Sequence, residues 1–182
     1  MPLSNEAISK LLGSLYDAAV DPNQWDPFLQ QLAENTRATS AALVMHDFEQ
    51  SLYTISRSWH VDPESARLYE NHYHSLDVWA QKGLSKPTGY VCGSESLCPL
   101  REMKTTEIYN DFMVRFKVEH GMFGVLENSK SRWASLSLYR DAARSEFEAS
   151  HSTLLKFLRC AFATRFQAAC STFRSEGSVR RI

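Results

Sequence analysis

The clearest structural signal in the sequence is a segment of strict alternation near the C-terminus. Between Arg132 and Arg140, every second residue is small or aliphatic: Ala134, Leu136 and Leu138. The residues between them differ in kind: Trp133, Ser135, Ser137 and Tyr139. Because successive side chains of a strand point to opposite faces, the pattern predicts a strand between two different surfaces. Gly121–Glu127 precedes it across a polar turn, which indicates an antiparallel hairpin.

The rest of the sequence predicts helices around shorter strands. Apolar residues at helical spacing indicate two N-terminal helices. Alternation between polar turns indicates a second hairpin, with Tyr53, Ile55 and Arg57 on one side. The predicted elements are helices Asn5–Val20 and Gln24–Arg37, strands Ala41–Phe48 and Leu52–Trp59, a helix from Asp62 to about His74, a loop over Ser75–Thr88, strand Gly89–Cys92, a short helix that starts at Cys98–Pro99, and a helix over Thr105–Phe116.

The last predicted element is a long amphipathic helix. Ser145 and Glu148 have the spacing of a capping box, in which each side chain accepts a hydrogen bond from the other residue's backbone N–H. The apolar stripe continues to Phe173, so the helix would span about 40 Å and extend past the core of a small domain. Its far end is expected to pair with a second copy in a homodimer through Phe162, Phe166 and Phe173.

Length and composition indicate one globular domain. The chain has 182 residues, of which 43% are apolar and 23% charged, so it can bury a sizeable core. Helices flanking an antiparallel sheet place it in the α+β class. The order of elements resembles the layout of GAF and PAS sensor domains. We expect one GAF/PAS-like domain over residues 1–175, followed by a tail, or the start of a linker, over residues 176–182.

Charge and hydropathy exclude several classes of protein. The formal net charge of −1 argues against direct binding of DNA, because a DNA-binding surface is usually basic. No apolar run approaches the roughly 20 residues of a membrane helix, and no signal peptide is present. We therefore expect a cytoplasmic protein without a membrane partner. Its four cysteines lack the C-x2-C spacing of a metal site, so they are expected to be free thiols.

Several segments resemble the N-terminal sensory domain of LuxR-type helix-turn-helix transcription regulators. They are Leu15–Ala19 with Asp21–Pro22 before Trp25, Tyr69 and His72–Tyr73 before Asp77, Glu107–Phe112, and Ser137–Arg140 followed by Phe147. The resemblance implies a sensor that binds a small organic molecule and forms a homodimer. It also implies that the protein acts on DNA only through a C-terminal helix-turn-helix domain, which is absent from this chain.

The sequence departs from this family in two places. Val78 stands where the family often has proline, and Arg159–Cys160–Ala161 stands where it often has a Pro-His pair. The autoinducer-binding relatives hold an acyl-homoserine lactone with a Trp, a Tyr and an Asp. Tyr73 and Asp77 lie closer in sequence than the corresponding residues of those domains, so that ligand is not carried over.

One cluster has the composition of a small-molecule pocket, which is mostly aromatic with a few fixed polar groups. It consists of Trp59, Tyr69, His72, Tyr73, His74, Asp77 and Trp79, to which we add Tyr53 and Phe123 as candidate ligand-binding residues. The carboxylate of Asp77 would orient a donor group of the ligand. In the alternative interpretation, the aromatic residues are ordinary core and Asp77 caps a helix. Phe112, Phe116 and Leu136 are expected to be plain core, and this is also the alternative for Phe123.

No pattern in the sequence indicates catalysis, a metal or a cofactor. The nucleophile elbow, the HExxH motif, the P-loop and the dinucleotide-binding glycine motif are all missing. His72 and His74 are two residues apart and would diverge on a helix, so they do not predict a metal site. The favoured function is therefore a signal-sensing domain rather than an enzyme. The main alternative is a dimerisation module without a ligand, and a small enzyme on a sensor-like fold is a third.

Overall fold

The structure is a computed structural model that describes residues 4–158 of the chain. Its α-helices are α1 (Asn5–Val20), α2 (Trp25–Thr36), α3 (Pro63–Asn71), α4 (Val78–Gly83), α5 (Ser94–Leu97), α6 (Leu100–Met103) and α7 (residues 149–158). Short 3-10 helices cover Pro22–Gln24 and Tyr73–Ser75, and a π-helix covers Ile108–Met113. The strands are β1 (Ser40–Asp47), β2 (Leu52–Trp59), β3 (Val91–Gly93), β4 (His120–Asn128) and β5 (Arg132–Arg140).

The five strands form one antiparallel sheet in the order β2-β1-β5-β4-β3. Both predicted hairpins, β1–β2 and β4–β5, are present, and the pairing of β1 with β5 joins them. The predicted α+β class, with an antiparallel sheet and flanking helices, is confirmed. Within residues 4–158, no helix is both long and apolar enough to cross a membrane.

Strand β5 separates two apolar cores, as its alternation predicts. Leu136 and Leu138 pack in a core formed with α1, α2 and α7, on what we call the terminal face of the sheet. Trp133 packs in a second core formed with α3–α6 and the π-helix, on what we call the central face. Because both faces are covered, Ser135 and Ser137 of β5 are buried as well, and their hydroxyl groups bond to each other at 3.0 Å.

The sequence predicts that Tyr53, Ile55 and Arg57 lie on one face of β2. This assignment is wrong for the second half of the strand because of a β-bulge. The pairing of β1 with β2 changes register, so that Leu43 lies opposite Arg57 while Val44 lies opposite Ile55. A bulge adds one residue to one strand, and residues of the same parity before and after it then face opposite ways. Ile55 accordingly packs on the central face, whereas Trp59 packs against the core of the terminal face.

Two predicted boundaries in the middle of the chain are also wrong. Helix α3 ends at Asn71, because His72 has non-helical backbone angles of φ −143° and ψ −58°. The stretch Ser75–Thr88, predicted as loop, contains α4. That helix begins after Asp77, whose Oδ1 accepts a hydrogen bond from the Ala80 N–H at 3.0 Å. Asp77 therefore has the capping role that the alternative interpretation gave it.

The capping box predicted at Ser145 is wrong, and a buried arginine explains the difference. Helix α7 begins at residue 149, and the carbonyls of Ser145 and Glu146 accept from Arg140 Nη1 at 2.8 and 2.9 Å. Nη2 of Arg140 donates to the Thr36 carbonyl at 2.5 Å, and the guanidinium carbon lies 4.1 Å from the ring centre of Phe147. Arg140 thus ties the end of α2 to the segment before α7.

The remainder of the predicted long helix, with Phe162, Phe166 and Phe173, lies outside the described residues. Its length and its pairing in a dimer stay predictions. The part that is described, α7, contributes Leu154, Leu155 and Leu158 to the core of the terminal face.

We expect Arg140→Met to lower the free energy of unfolding by about 3 kcal/mol. Methionine fills much of the same space but leaves three carbonyls without their charged donor, and each such bond contributes about 1.5–3 kcal/mol before relaxation. Urea denaturation measures the change. Arg101→Met is the control, because 86% of the Arg101 side chain is exposed, and it should change stability by less than about 0.5 kcal/mol. Equal effects of the two substitutions would contradict the anchoring role.

Candidate functional site

A cavity of about 120 Å³ lies on the central face, between the sheet, α3 and the π-helix. Five aromatic side chains form much of its wall: Tyr69, Trp79, Phe112, Phe116 and Tyr139. Its polar lining includes Asp62, Ser65 and Asp77. His60 and Asp62 are exposed residues of the loop between β2 and α3, so this loop marks the side of the cavity that is nearest to solvent.

A chain of hydrogen bonds crosses the inner wall of the cavity. The Tyr69 hydroxyl donates to Asp77 Oδ2 at 2.9 Å, and its oxygen lies 3.1 Å from His46 Nε2. A phenol has one hydrogen, and here it is given to Asp77. The bond to His46 therefore requires Nε2–H as the donor, which assigns the tautomer of a neutral imidazole. The chain connects α4, α3 and the middle of the sheet.

Burial shifts the pKa values of these groups towards their uncharged forms. It raises the pKa of Asp77, although hydrogen bonds from Ala80, Tyr69 and the Trp79 backbone partly oppose the effect. Burial likewise raises the pKa of Tyr69, and the charge of Asp77 adds to that shift. For His46, burial first and the nearby His74 second lower the pKa to about 4. At the inner wall, the carboxyl group of Asp77 therefore lies in apolar surroundings beside neutral partners.

The structure brings three of the sequence-predicted ligand residues together at the cavity. Tyr69, Asp77 and Trp79 all line it. Phe123 lies behind them, 5.2 Å from Trp79 between ring centres, and lines a smaller cavity of about 20 Å³ that also contacts Asp77. That smaller space is large enough for about one water molecule.

The other predicted residues lie elsewhere. Trp59 is on the terminal face, beyond the bulge. His72 turns outwards at the end of α3, where its exposed ring bonds Glu107 at 3.0 Å. Tyr53 stacks on His74 with ring centres 4.1 Å apart, next to His46 rather than at the cavity wall. Tyr73 packs against Phe112 at 4.8 Å and supports that wall from outside.

Sequence reasoning missed several lining residues. Phe112 and Phe116, which the sequence predicts to be plain core, both border the cavity, and Ile108 and Met113 lie beside them. All four fall in or next to the segment Glu107–Phe112, whose likeness to a family motif was the available signal. Tyr139 gave a second signal, because it is the large polar aromatic residue on the central side of the alternating strand β5.

The two cysteines of the described region are buried free thiols. Cys92 and Cys98 form no disulfide, and burial raises the pKa of each thiol. A raised pKa keeps a thiol protonated and unreactive at neutral pH. Neither residue carries the features of a redox or nucleophilic site.

The buried state of His46 predicts a pH dependence of stability. The pKa of His46 is about 4 in the folded protein and about 6.5 in an unfolded chain, so the unfolded chain takes up a proton between these values and the native state does not. The free energy of unfolding therefore falls as the pH decreases from about 6.5 towards 4. His46→Gln should remove about 1–3 kcal/mol of that fall, as measured by urea denaturation at several pH values. Above pH 7 the free energies of unfolding of the two proteins should change with pH in parallel. A difference between them that stays constant down to pH 4.5 would contradict the assignment.

Comparisons with known proteins show which solved structures have a similar fold. No protein-family model matches the chain, and no curated protein matches it in sequence. Among solved structures, the ligand-binding domain (LBD) of VqsR from Pseudomonas aeruginosa is similar with a TM-score of 0.70 at 21% identity, covering 88% of this chain and 94% of that domain.

Two further structures point the same way. The N-acylhomoserine lactone dependent LuxR-family transcription factor CepR2 from Burkholderia cenocepacia has a TM-score of 0.57 at 15% identity, over 91% of this chain and 94% of that one. The GAF domain of a phosphoenolpyruvate-protein phosphotransferase from Coxiella burnetii has 0.58 at 12%, over 97% and 100%. The chain therefore has the GAF-like fold of these three structures.

Proposed function

We propose that this chain is the small-molecule-sensing domain of a LuxR-type transcription regulator, formed by residues 1–175 as one unit. The observation that carries the proposal is the aromatic cavity with the Asp77–Tyr69 pair in its wall. A ligand site is usually concave and mostly apolar, with a few polar groups that fix orientation. The same fold in the VqsR LBD and in CepR2 supports this assignment.

The size of the cavity limits the ligand. Its volume is about 120 Å³. An engineered apolar cavity of about 150 Å³ holds one benzene molecule, so this cavity accepts a compound of about one ring unless the wall moves. A long acyl chain does not fit this volume. We expect the effector to be small and compact, with at least one hydrogen-bond donor for Asp77.

Strand β5 offers a route from the cavity to the C-terminal helix. Tyr139 lines the cavity on one face of the strand, and its neighbour Arg140 binds the carbonyls of Ser145 and Glu146 on the other face. A shift of β5 at Tyr139 therefore moves the anchor of the segment that leads into α7. The ligand must bind the two resulting states with different affinity for a signal to pass.

The assembled regulator would be a cytoplasmic homodimer that contacts DNA only through a helix-turn-helix domain. The dimer contact proposed here is the far end of the last helix, with Phe162, Phe166 and Phe173. Phe157 of α7 supports an interface on this helix, because it is 53% exposed. The same exposure favours the second candidate function, a dimerisation module that binds no ligand.

A cavity-filling substitution tests ligand binding. We expect Val118→Phe to place a ring in the cavity and to abolish binding of any effector found with the wild-type chain. A thermal-shift screen of aromatic and other compact metabolites supplies that effector, and a compound at 100 times its dissociation constant should raise the melting temperature by roughly 5–10 °C. Val114→Phe is the matched control, because Val114 is 55% exposed and lies outside the cavity. A wide panel without any shift favours the ligand-free module.

Two further substitutions test the dimer. Phe166→Asp and Phe173→Asp should each reduce the sedimentation mass from that of a dimer to that of a monomer, because a buried charge at an apolar contact is strongly unfavourable. Circular dichroism spectra checked beside the wild type confirm that the fold persists. An unchanged mass in both variants rules out this helix as the interface.

A further inference from the structure

The cavity is lined by acidic residues but by no lysine or arginine. Two of its lining residues are carboxylic acids, Asp62 near the solvent side and Asp77 at the inner wall, and none is a lysine or an arginine. Among residues 4–158, no basic side chain forms an ion pair with Asp77. A buried carboxylate without a cationic partner is costly, so a positively charged ligand gains more here than a neutral one of the same shape.

The neighbouring basic residues are occupied elsewhere. Arg115 lies over the ring of Phe116 at 5.0 Å, but its guanidinium is paired with Glu64 at 2.8 Å. Lys86 borders only the smaller cavity, and its ammonium lies over the ring of Tyr90 at 5.3 Å. The negative potential of the main cavity is therefore not cancelled by a built-in cation.

The walls complement the same kind of ligand. Five aromatic rings surround the cavity, and the face of an aromatic ring attracts a cation because it carries partial negative charge. This attraction is largest where water is excluded, as at Tyr69 and Trp79, which are 4% and 5% exposed. The carboxylate and the aromatic rings therefore both favour a cation over an anion.

Asp77 still has room for one more donor. An ionised carboxylate offers about four lone-pair positions. Three hydrogen-bond donors use them here: the Ala80 N–H, the Trp79 N–H and the Tyr69 hydroxyl. A primary ammonium group carries three N–H donors, and one of them can take the open position.

Building on the proposed function, we infer that the cavity takes up a small organic cation, a primary ammonium compound with no more than one ring. The ammonium group bonds Asp77 and lies among the aromatic side chains. The hydrocarbon part fills the space between Phe112, Phe116 and Tyr139. An anion of the same size is disfavoured, because it would meet two carboxylates and no lysine or arginine, and the only imidazole in the lining, that of His60, lies in the exposed loop beside Asp62 rather than at the inner wall.

Three probes of one shape and different charge test this inference in the unmodified 182-residue chain. They are benzylammonium, benzyl alcohol and benzoate at pH 7, titrated while amide chemical shifts are followed by NMR. We expect benzylammonium to bind at least tenfold more tightly than benzyl alcohol, and benzoate to cause no saturable shift. Equal or tighter binding of benzyl alcohol overturns the inference while the proposed function stands.

Substitutions test whether the charge of Asp77 causes the preference for benzylammonium. Asp77→Asn keeps a good helix cap but removes the charge, and it should weaken benzylammonium at least tenfold while benzyl alcohol changes less than threefold. Asp47→Asn is the matched control, a buried carboxylate that bonds the Gln50 N–H outside the cavity, and it should change neither affinity. If Asp77→Asn does not fold, the three-probe comparison with wild type and Val118→Phe still decides.

Two other outcomes also count against the inference. Binding of benzylammonium that survives Val118→Phe occurs outside the cavity and overturns it. Failure of all three probes to bind at millimolar concentration overturns it as well. In that case, the wider thermal-shift screen decides separately whether the cavity binds any ligand at all.

Discussion

Burial of strand β5 on both faces is the constraint on which the rest of the structure depends. A strand in the middle of the order β2-β1-β5-β4-β3 has no free edge and no solvent side, so each of its side chains must be satisfied by packing or hydrogen bonding. Leu136 and Leu138 meet that demand on the terminal face. On the central face, Ser135 and Ser137 bond to each other, and the space beyond them widens into the two cavities.

Features set by neighbouring residues could be predicted from the sequence, and features set by distant ones could not. The alternation of β5 is local, and so is the helix start at Asp62, whose Oδ1 accepts from the Glu64 N–H at 2.7 Å. The bulge opposite Leu43 depends on the partner strand, and it alone decides that Trp59 leaves the cavity side. Likewise, Arg140 binds the carbonyl of Thr36, 104 positions away in the sequence, which no local pattern encodes.

The similarity to known structures concerns the architecture of the domain and not the side chains that would bind a ligand. Identities of 12–21% over most of the chain are enough to preserve the sheet and its flanking helices. They do not preserve a ligand, because binding depends on a few groups at the wall rather than on the architecture. In the site proposed for this chain those groups are Asp77 and Tyr69, and the bond from His46 to the Tyr69 oxygen holds the pair against the sheet.

In the proposed sensor, the free energy of ligand preference on the cavity side of β5 is comparable to that of one hydrogen bond of Arg140 on the other side. A signal can therefore pass from the cavity to the segment before α7. A ligand that prefers one state of the domain tenfold shifts the equilibrium by about 1.4 kcal/mol. One hydrogen bond from a charged donor contributes about 1.5–3 kcal/mol. In the proposed sensor, a tenfold ligand preference therefore approaches the lower end of what one of the three carbonyl bonds of Arg140 contributes, and it is far smaller than the sum of all three. The expected response is a partial loosening of the segment before α7 rather than its release.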